Sequence, residues 1–359
     1  MRNVQQSALR RGIRFRGALS VPKRKKCFNT NREFNVEEGH APTDLRTDCS
    51  VRIVGMSPIT KSRGRLFALI ARDAPMAVVF RRGPSKRVLL VHWDLKTDKF
   101  IEGQWFNGRI YERRCDLSPS GKRLIYFAAN QKKPYYSWTA VSRPPFLTAL
   151  ALWPKGDAWG GGGLFTSENE ILLNHRPNEL ELADGFKLAR NVRIKTLGTH
   201  SGWGEDNPIW DKVLIRDGWH QSQDGKANRH GLRSPISWTI DPPLVWAKRN
   251  RKGKGEYELQ MQIKGMHVRN GPWYSIDYLV VDRVNNLLFK LEATDWADWC
   301  HSGDLLFAKD GKLFRLECGS IGASHELESA RLLIDLSDRQ FKQVTAPIEA
   351  KQWNGRFHL

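Results

Sequence analysis

The sequence predicts a nearly all-β fold assembled from repeated units, and three observations point there. Apolar runs of about 4 to 8 residues, rich in β-branched and aromatic side chains, alternate with clusters of Gly, Pro, Asn and Asp. No stretch keeps a 3.6-residue apolar period over three turns with caps at its ends. Two kinds of turn sequence recur where the apolar runs end.

The runs fall at residues 66–70, 77–80, 87–93, 124–128, 137–141, 147–153 and 170–173, then at 212–215, 257–263, 278–281 and 287–291. Each has the length and composition of a strand. Residues 324–334 come nearest to a helix, and they are short. With 359 residues, 40% hydrophobic content, 14 Trp and 16 Phe, the chain can bury a sizeable core. Tryptophan suits neither turns nor linkers, so many of these rings belong in cores or binding surfaces.

The recurring turns give the architecture. Asp116-Leu117-Ser118-Pro119-Ser120-Gly121 leads into run 124–128, and Asp298-Trp299-Cys300-His301-Ser302-Gly303 leads into a run at 305–308. Both read Asp-x-x-x-Ser-Gly. Asp94-Leu95 and Asp335-Leu336 each end a run and are followed, after four residues, by Phe100 and Phe341; Asp282 begins a looser third copy. An Asp or Ser side chain can fold back on the turn backbone, and Gly accepts positive φ. Units of this size cannot bury their faces alone, so they stack radially, and the expectation is a β-propeller. At about 40 to 45 residues per blade, residues 56–359 allow six or seven four-stranded blades.

The turn from Asp116 to Lys122 resembles the blade turn of TolB-like and WD40-like β-propellers. The segment Trp93-Asp94-Leu95-Lys96-Thr97 is similar to the Trp-Asp-Leu-x-Thr element of WD40 blades. The resemblance covers residues 87–128 and 278–317. The Gly-His that opens a regular WD40 repeat is missing, and residues 155–255 carry no clean repeat. The resemblance implies a scaffold that presents peptides or domains on one face, although some propellers are enzymes.

Residues 1–55 differ from the rest. They hold 12 Lys/Arg against 5 Asp/Glu and little apolar periodicity. They read as a disordered basic arm or as an over-extended start, with the protein beginning at Met56. The formal charge of +20 suits an anionic partner, but outside the arm the basic residues are dispersed, so nucleic acid is not the favoured partner. No apolar run approaches the roughly 18 residues of a membrane span. The five cysteines are scattered without a Cys-x-x-Cys pair, which disfavours a disulfide framework and a structural zinc site. The expectation is a cytoplasmic monomer with no cofactor and no metal.

Three segments could carry function. Trp153 to Phe165 contains Trp159 and four consecutive glycines, 160–163, which permit close approach of a ligand or a tight crossing between units. Residues 198–220 gather His200, Glu205, Asp206, Asp211, Asp217 and His220 with three Trp, without metal-ligand spacing. Residues 103–113, with Trp105, Arg109, Tyr111 and Arg113, join Arg143 in supplying the aromatic and Arg side chains that dominate interface hot spots. His92 and His267 read as strand-face packing.

The favoured reading is a non-enzymatic scaffold binding a protein partner through its loop face, with contacts at Trp105, Arg109, Arg143, Trp159 and Trp219. The first alternative is a hydrolase or lyase at a central channel, built on His200, His220 and carboxylates such as Asp206. The second is a binder of an anionic polymer through the basic surface.

Overall fold

A computed structural model describes residues 64–83, 86–252, 256–318, 321 and 329–355. The expectation for residues 1–55 lies outside the described residues. The described chain is mainly antiparallel β-structure in five sheets, laid down in chain order.

The first sheet is a meander of β1 (Arg65–Ile70), β2 (Met76–Arg82), β3 (Arg87–Asp94) and β4 (Lys99–Asn107). In the second, β5 (Arg109–Ile110) and β6 (Asp116–Leu117) both pair with β7 (Leu124–Ala129), followed by β8 (Ser137–Ser142) and β9 (Ala149–Pro154). The third holds β10 (Gly163–Ser167), β11 (Glu170–Leu173) and β12 (Arg193–Thr196), with β12 parallel to β11. A helix, α1 (Ile209–Arg216), precedes the fourth sheet. There β13 (His220–Gln223) and β14 (Ala227–Arg229) pair with β15 (Ile236–Arg249), followed by β16 (Tyr257–Val268), β17 (Tyr274–Asp282) and β18 (Leu287–Leu291). The fifth is the meander β19 (Thr294–Trp299), β20 (Leu305–Lys309), β21 (Lys312–Leu316) and β22 (Arg331–Asp335).

The Asp-Leu turns behave as their chemistry requires. Asp94 Oδ1 accepts from the amides of Lys96 and Thr97, and Asp282 Oδ1 from those of Val284 and Asn285. Asp335 Oδ1 accepts from Ser337 N. In the two Asp-x-x-x-Ser-Gly segments a side chain does fold back on the turn backbone: Ser118 Oγ accepts from Arg123 N, and Asp298 Oδ1 from Trp299 N. Their glycines, Gly121 and Gly303, take positive φ, at 74° and 92°. Their aspartates also reach neighbouring elements: Asp116 accepts from Phe165 N and pairs with Arg216, and Asp298 pairs with Lys248.

Three expectations are corrected. Residues 212–215 lie in α1, because Ile209, Trp210 and Leu214 share one buried helical face. Residues 331–334 belong to β22, and 325–328 lie outside the described residues. In place of six or seven units, the described residues form five sheets. Strands β15 and β16, 14 and 12 residues long, draw the stretch from His220 to Leu291 into one sheet.

Each sheet buries a face against its neighbour. Val78, Phe80 and Leu90 of the first meet Leu124 and Tyr126 of the second. Ile125, Val141 and Trp153 of the second meet Phe165 and Ile171 of the third. Leu259, Met261 and Val280 of the fourth meet Trp299, Leu305 and Phe307 of the fifth. Leu66, Ala68 and Trp93 of the first meet Trp296, Leu306 and Ala308 of the fifth, so the last sheet packs on the first. Helix α1 packs Trp210 and Leu214 into the core of the fourth sheet, and its Arg216 donates to Phe165 O of the third. Among the described residues, no helix is long and apolar enough to cross a membrane.

Candidate functional site

Between β5 and β6 the chain makes one 3-10 turn, Glu112–Arg114. With three residues per turn, successive side chains leave it in three directions. Glu112 accepts from Arg82 Nη1 at 2.9 Å on both oxygens. Burial opposes its charge, but Arg82 and Arg113 outweigh that cost and hold its pKa below the ordinary value. Arg114 is 2% exposed; its Nε donates to Asp206, and its Nη1 to the carbonyls of Ala158 and Gly160.

Arg113 is placed differently. Its guanidinium carbon lies 5.1, 4.8 and 4.9 Å from the ring centres of Phe67, Trp210 and Tyr274. Its side chain is 12% exposed and makes one long contact, 3.5 Å, to Glu112 Oε1. Among the described residues its buried Nε has no hydrogen-bond partner.

Two cavities share Phe67, Glu112 and Arg113. The first, about 420 Å³, has walls from Trp210, Trp219, Met261, Tyr278 and Trp296. Its acidic groups are already paired. Asp116 takes two bonds from Arg216, at 2.5 and 2.9 Å, Asp217 takes Arg216 Nε at 2.7 Å, and Asp298 takes Lys248 at 2.6 Å. Against the cost of burial, Asp116 and Asp217 hold Arg216 firmly charged. The edge of this cavity carries Arg72, Arg249, Arg251 and Lys252. The side chains of Arg251 and Lys252 make no ion pair or hydrogen bond among the described residues, and Arg249 reaches Glu258 at 4.0 Å.

The second cavity, about 350 Å³, is completed by Arg65, Arg82, Arg109, Tyr274 and Asp295. Burial pushes the pKa of Asp295 up to about 6. Asp206 also lines it, held by Arg114 at 2.9 Å.

A third feature is a pair of loops bearing Trp159 and Trp203, which are 55% and 59% exposed. Their backbones are joined by Gly160 N donating to Gly204 O. Asn174 ties them further, accepting from Gly202 N and donating to Trp203 O. Beneath lies a buried polar chain. Gly162 N donates to Thr139 Oγ1, the Thr139 hydroxyl donates to His175 Nε2, and His175 Nδ1–H donates to Glu179 O. Both ring nitrogens of a neutral His175 are thereby satisfied, and burial lowers its pKa to about 4. The glycines here serve close packing. A Cβ on Gly161 would stand 2.3 Å from the Phe127 ring, and one on Gly162 would stand 2.2 Å from Arg114 O. Their amides are spent on protein acceptors, so the run is a crossing from the second sheet to the third.

The expected contact residues fall in different places. Trp159 is exposed on the loop just described. Arg109 lies over the Tyr111 ring at 4.5 Å and lines the second cavity, while Trp219 is buried in the wall of the first. Trp105 packs on Phe341 and Arg81. Arg143 donates to the carbonyls of Gln352 and Trp353. Of the alternative set, His200 and His220 are exposed and line neither cavity, while Asp206 is buried in its pair with Arg114. Among the described residues, no group of three His, Cys, Asp or Glu could hold a metal ion. His267 Nδ1 lies 2.6 Å from Ser237 Oγ, and its ring leans on Trp273. Sequence reasoning reached Trp203 only as one of the three Trp of residues 198–220, and it did not pick out Arg114 or the pairing of Arg216 with Asp116. The last spans 100 positions and has no local signature. The chain matches no protein-family model and no curated protein, so its chemistry is read from these cavities and loops.

Proposed function

We propose that the five sheets are the blades of a β-propeller of the WD40-like and TolB-like kind, acting as a scaffold that binds a protein partner through the loops bearing Trp159 and Trp203. Support for the ring is the order of packing: each sheet follows the last in the chain, α1 bridges the third and fourth, and the fifth packs on the first. Radial stacking of meanders leaves short, protected edges and a central space, as the cavities around Arg113 suggest.

The observation that carries the binding reading is the rigid mounting of two exposed tryptophans. Arg114, Asn174 and Ser201 spend buried hydrogen bonds on the loops beneath them. Arg176 lies over the Trp203 ring at 4.5 Å. Tryptophan and arginine on a preorganised backbone give large contact area at low entropic cost. The charge of +20 favours an acidic partner surface. We place this activity in the cytoplasm, a reducing compartment that suits scattered cysteines.

The test is quantitative affinity capture with the wild type, a Trp159→Ala/Trp203→Ala double variant and a Trp105→Ala control. The expected result is a partner retained by wild type and control and lost by the double variant. Removing two hot-spot aromatics costs about 2 kcal/mol or more each. A partner set unchanged in the double variant sinks the assignment.

A further inference from the structure

We infer that the first cavity is a binding site for a small organic oxyanion, a carboxylate or phosphate on a flat apolar body, anchored by Arg113. A guanidinium has five donors and no acceptor. Arg113 is nearly buried, yet among the described residues its one bond to Glu112 is 3.5 Å long and its Nε has no partner. A buried cation left this short of acceptors is costly, and an oxyanion in the cavity completes it with a forked pair of bonds. Arg72 also has an unpartnered buried Nε in this lining, whereas two other arginines nearby do not share the shortage. Arg114 and Arg216 each have a carboxylate at 2.9 Å or less.

The walls specify the rest of the ligand. Trp210, Trp219, Tyr278 and Trp296 offer aromatic and apolar surface, and about 420 Å³ holds a body of one or two fused rings. The entrance specifies its sign. The lining holds seven basic side chains against four acids, and those acids, Glu112, Asp116, Asp217 and Asp298, are ion-paired with Arg82, Arg216 and Lys248. The exposed side chains of Arg251 and Lys252 make no ion pair or hydrogen bond among the described residues, so an incoming anion meets net positive charge. This site is separate from the Trp159 and Trp203 loops.

The experiment titrates the full chain with naphthalene-2-carboxylate, 2-naphthyl phosphate, inorganic phosphate and the neutral naphthalene-2-carboxamide, read by tryptophan fluorescence and calorimetry. Trp210, Trp219 and Trp296 report from the wall. A naphthyl anion should bind the wild type at least roughly tenfold tighter than the carboxamide, the difference made by charge-assisted hydrogen bonds. Arg113→Met should lose that preference, and Arg113→Lys should keep part of it. The two naphthyl anions separate carboxylate from phosphate recognition. The Trp159→Ala/Trp203→Ala variant should bind them as the wild type does, so failure here and failure of the loop-face reading are distinct. Equal binding of anion and carboxamide, no binding of either naphthyl anion, or a preference that survives in Arg113→Met overturns the proposal. Should Arg113→Met not fold, ligand footprinting by hydrogen exchange on the wild type decides. Protection at residues 112–114 and α1 supports the site, and protection confined to 249–252 overturns it.

Discussion

At the scale of single residues, the side chains that matter most here are polar ones that burial has left with a definite partner or with none. His175 is the clearest titrating example. Its pKa is lowered to about 4 by burial, against 6.5 for an unperturbed histidine. Between those values the unfolded chain takes up a proton that the folded one does not, so stability falls as pH drops from about 6.5 toward 4. The full effect is about 3 kcal/mol at most. Asp211 and Asp295 work the other way. Burial raises both to about 6, so between about 4 and 6 their contribution declines as pH rises. The net slope is therefore mixed, and the difference between wild type and His175→Gln isolates the histidine. Urea unfolding at pH 7.5 and 5 should show the wild type losing more stability than the variant over that interval. Equal losses would mean that His175 is not held neutral.

Elements differ in how openly the sequence declares them. Strands β2, β3 and β7 are continuous apolar runs bounded by turn residues, and the Asp-Leu turns mark their own hydrogen bonds, so these were legible. Strand β15 was not, because Pro242 and Pro243 interrupt it and its pairing with β16 shifts register between Thr239 and Leu244. Helix α1 was misread because eight residues are too few to display a 3.6 period and Val213-Leu214-Ile215 imitates a strand. Of the site, Trp159, Trp219, Arg109 and Arg113 stood out by residue type, while the pairing that leaves Arg113 short of acceptors depends on chain-distant neighbours. The glycine crossing makes its own prediction. Gly161 has φ +79° and stands against Phe127. Gly161→Ala should therefore destabilise by more than about 1 kcal/mol in urea unfolding, whereas Gly156→Ala, with nothing within 4 Å, carries the φ penalty alone. Equal losses would remove the packing role.

For the whole molecule the informative joint is the one between the fifth sheet and the first. Arg81 donates to the carbonyls of Leu336 and Ser337, at 3.1 and 2.7 Å. Arg315 donates to the carbonyl of Leu95 at 3.0 Å and pairs with Asp98 and Asp304 at 2.7 and 2.8 Å. Removing both arginines takes the ion pair from Asp304, leaves Asp98 with Arg331 alone and orphans three main-chain carbonyls, a loss of roughly 1 to 3 kcal/mol. In Arg81→Ala/Arg315→Ala, hydrogen exchange should show β1 and β20 losing protection together while β8 and β11 keep theirs. Loss in β1 alone would mean that the two sheets merely touch. Three of these bonds end on main-chain oxygens. Such acceptors neither titrate nor change when a side chain is replaced. A change at Ser337 or a swing of pH therefore leaves those acceptors in place, while Leu95 and Leu336 are held besides by their burial in the core of the seam; for these bonds the vulnerability is concentrated in two arginine codons.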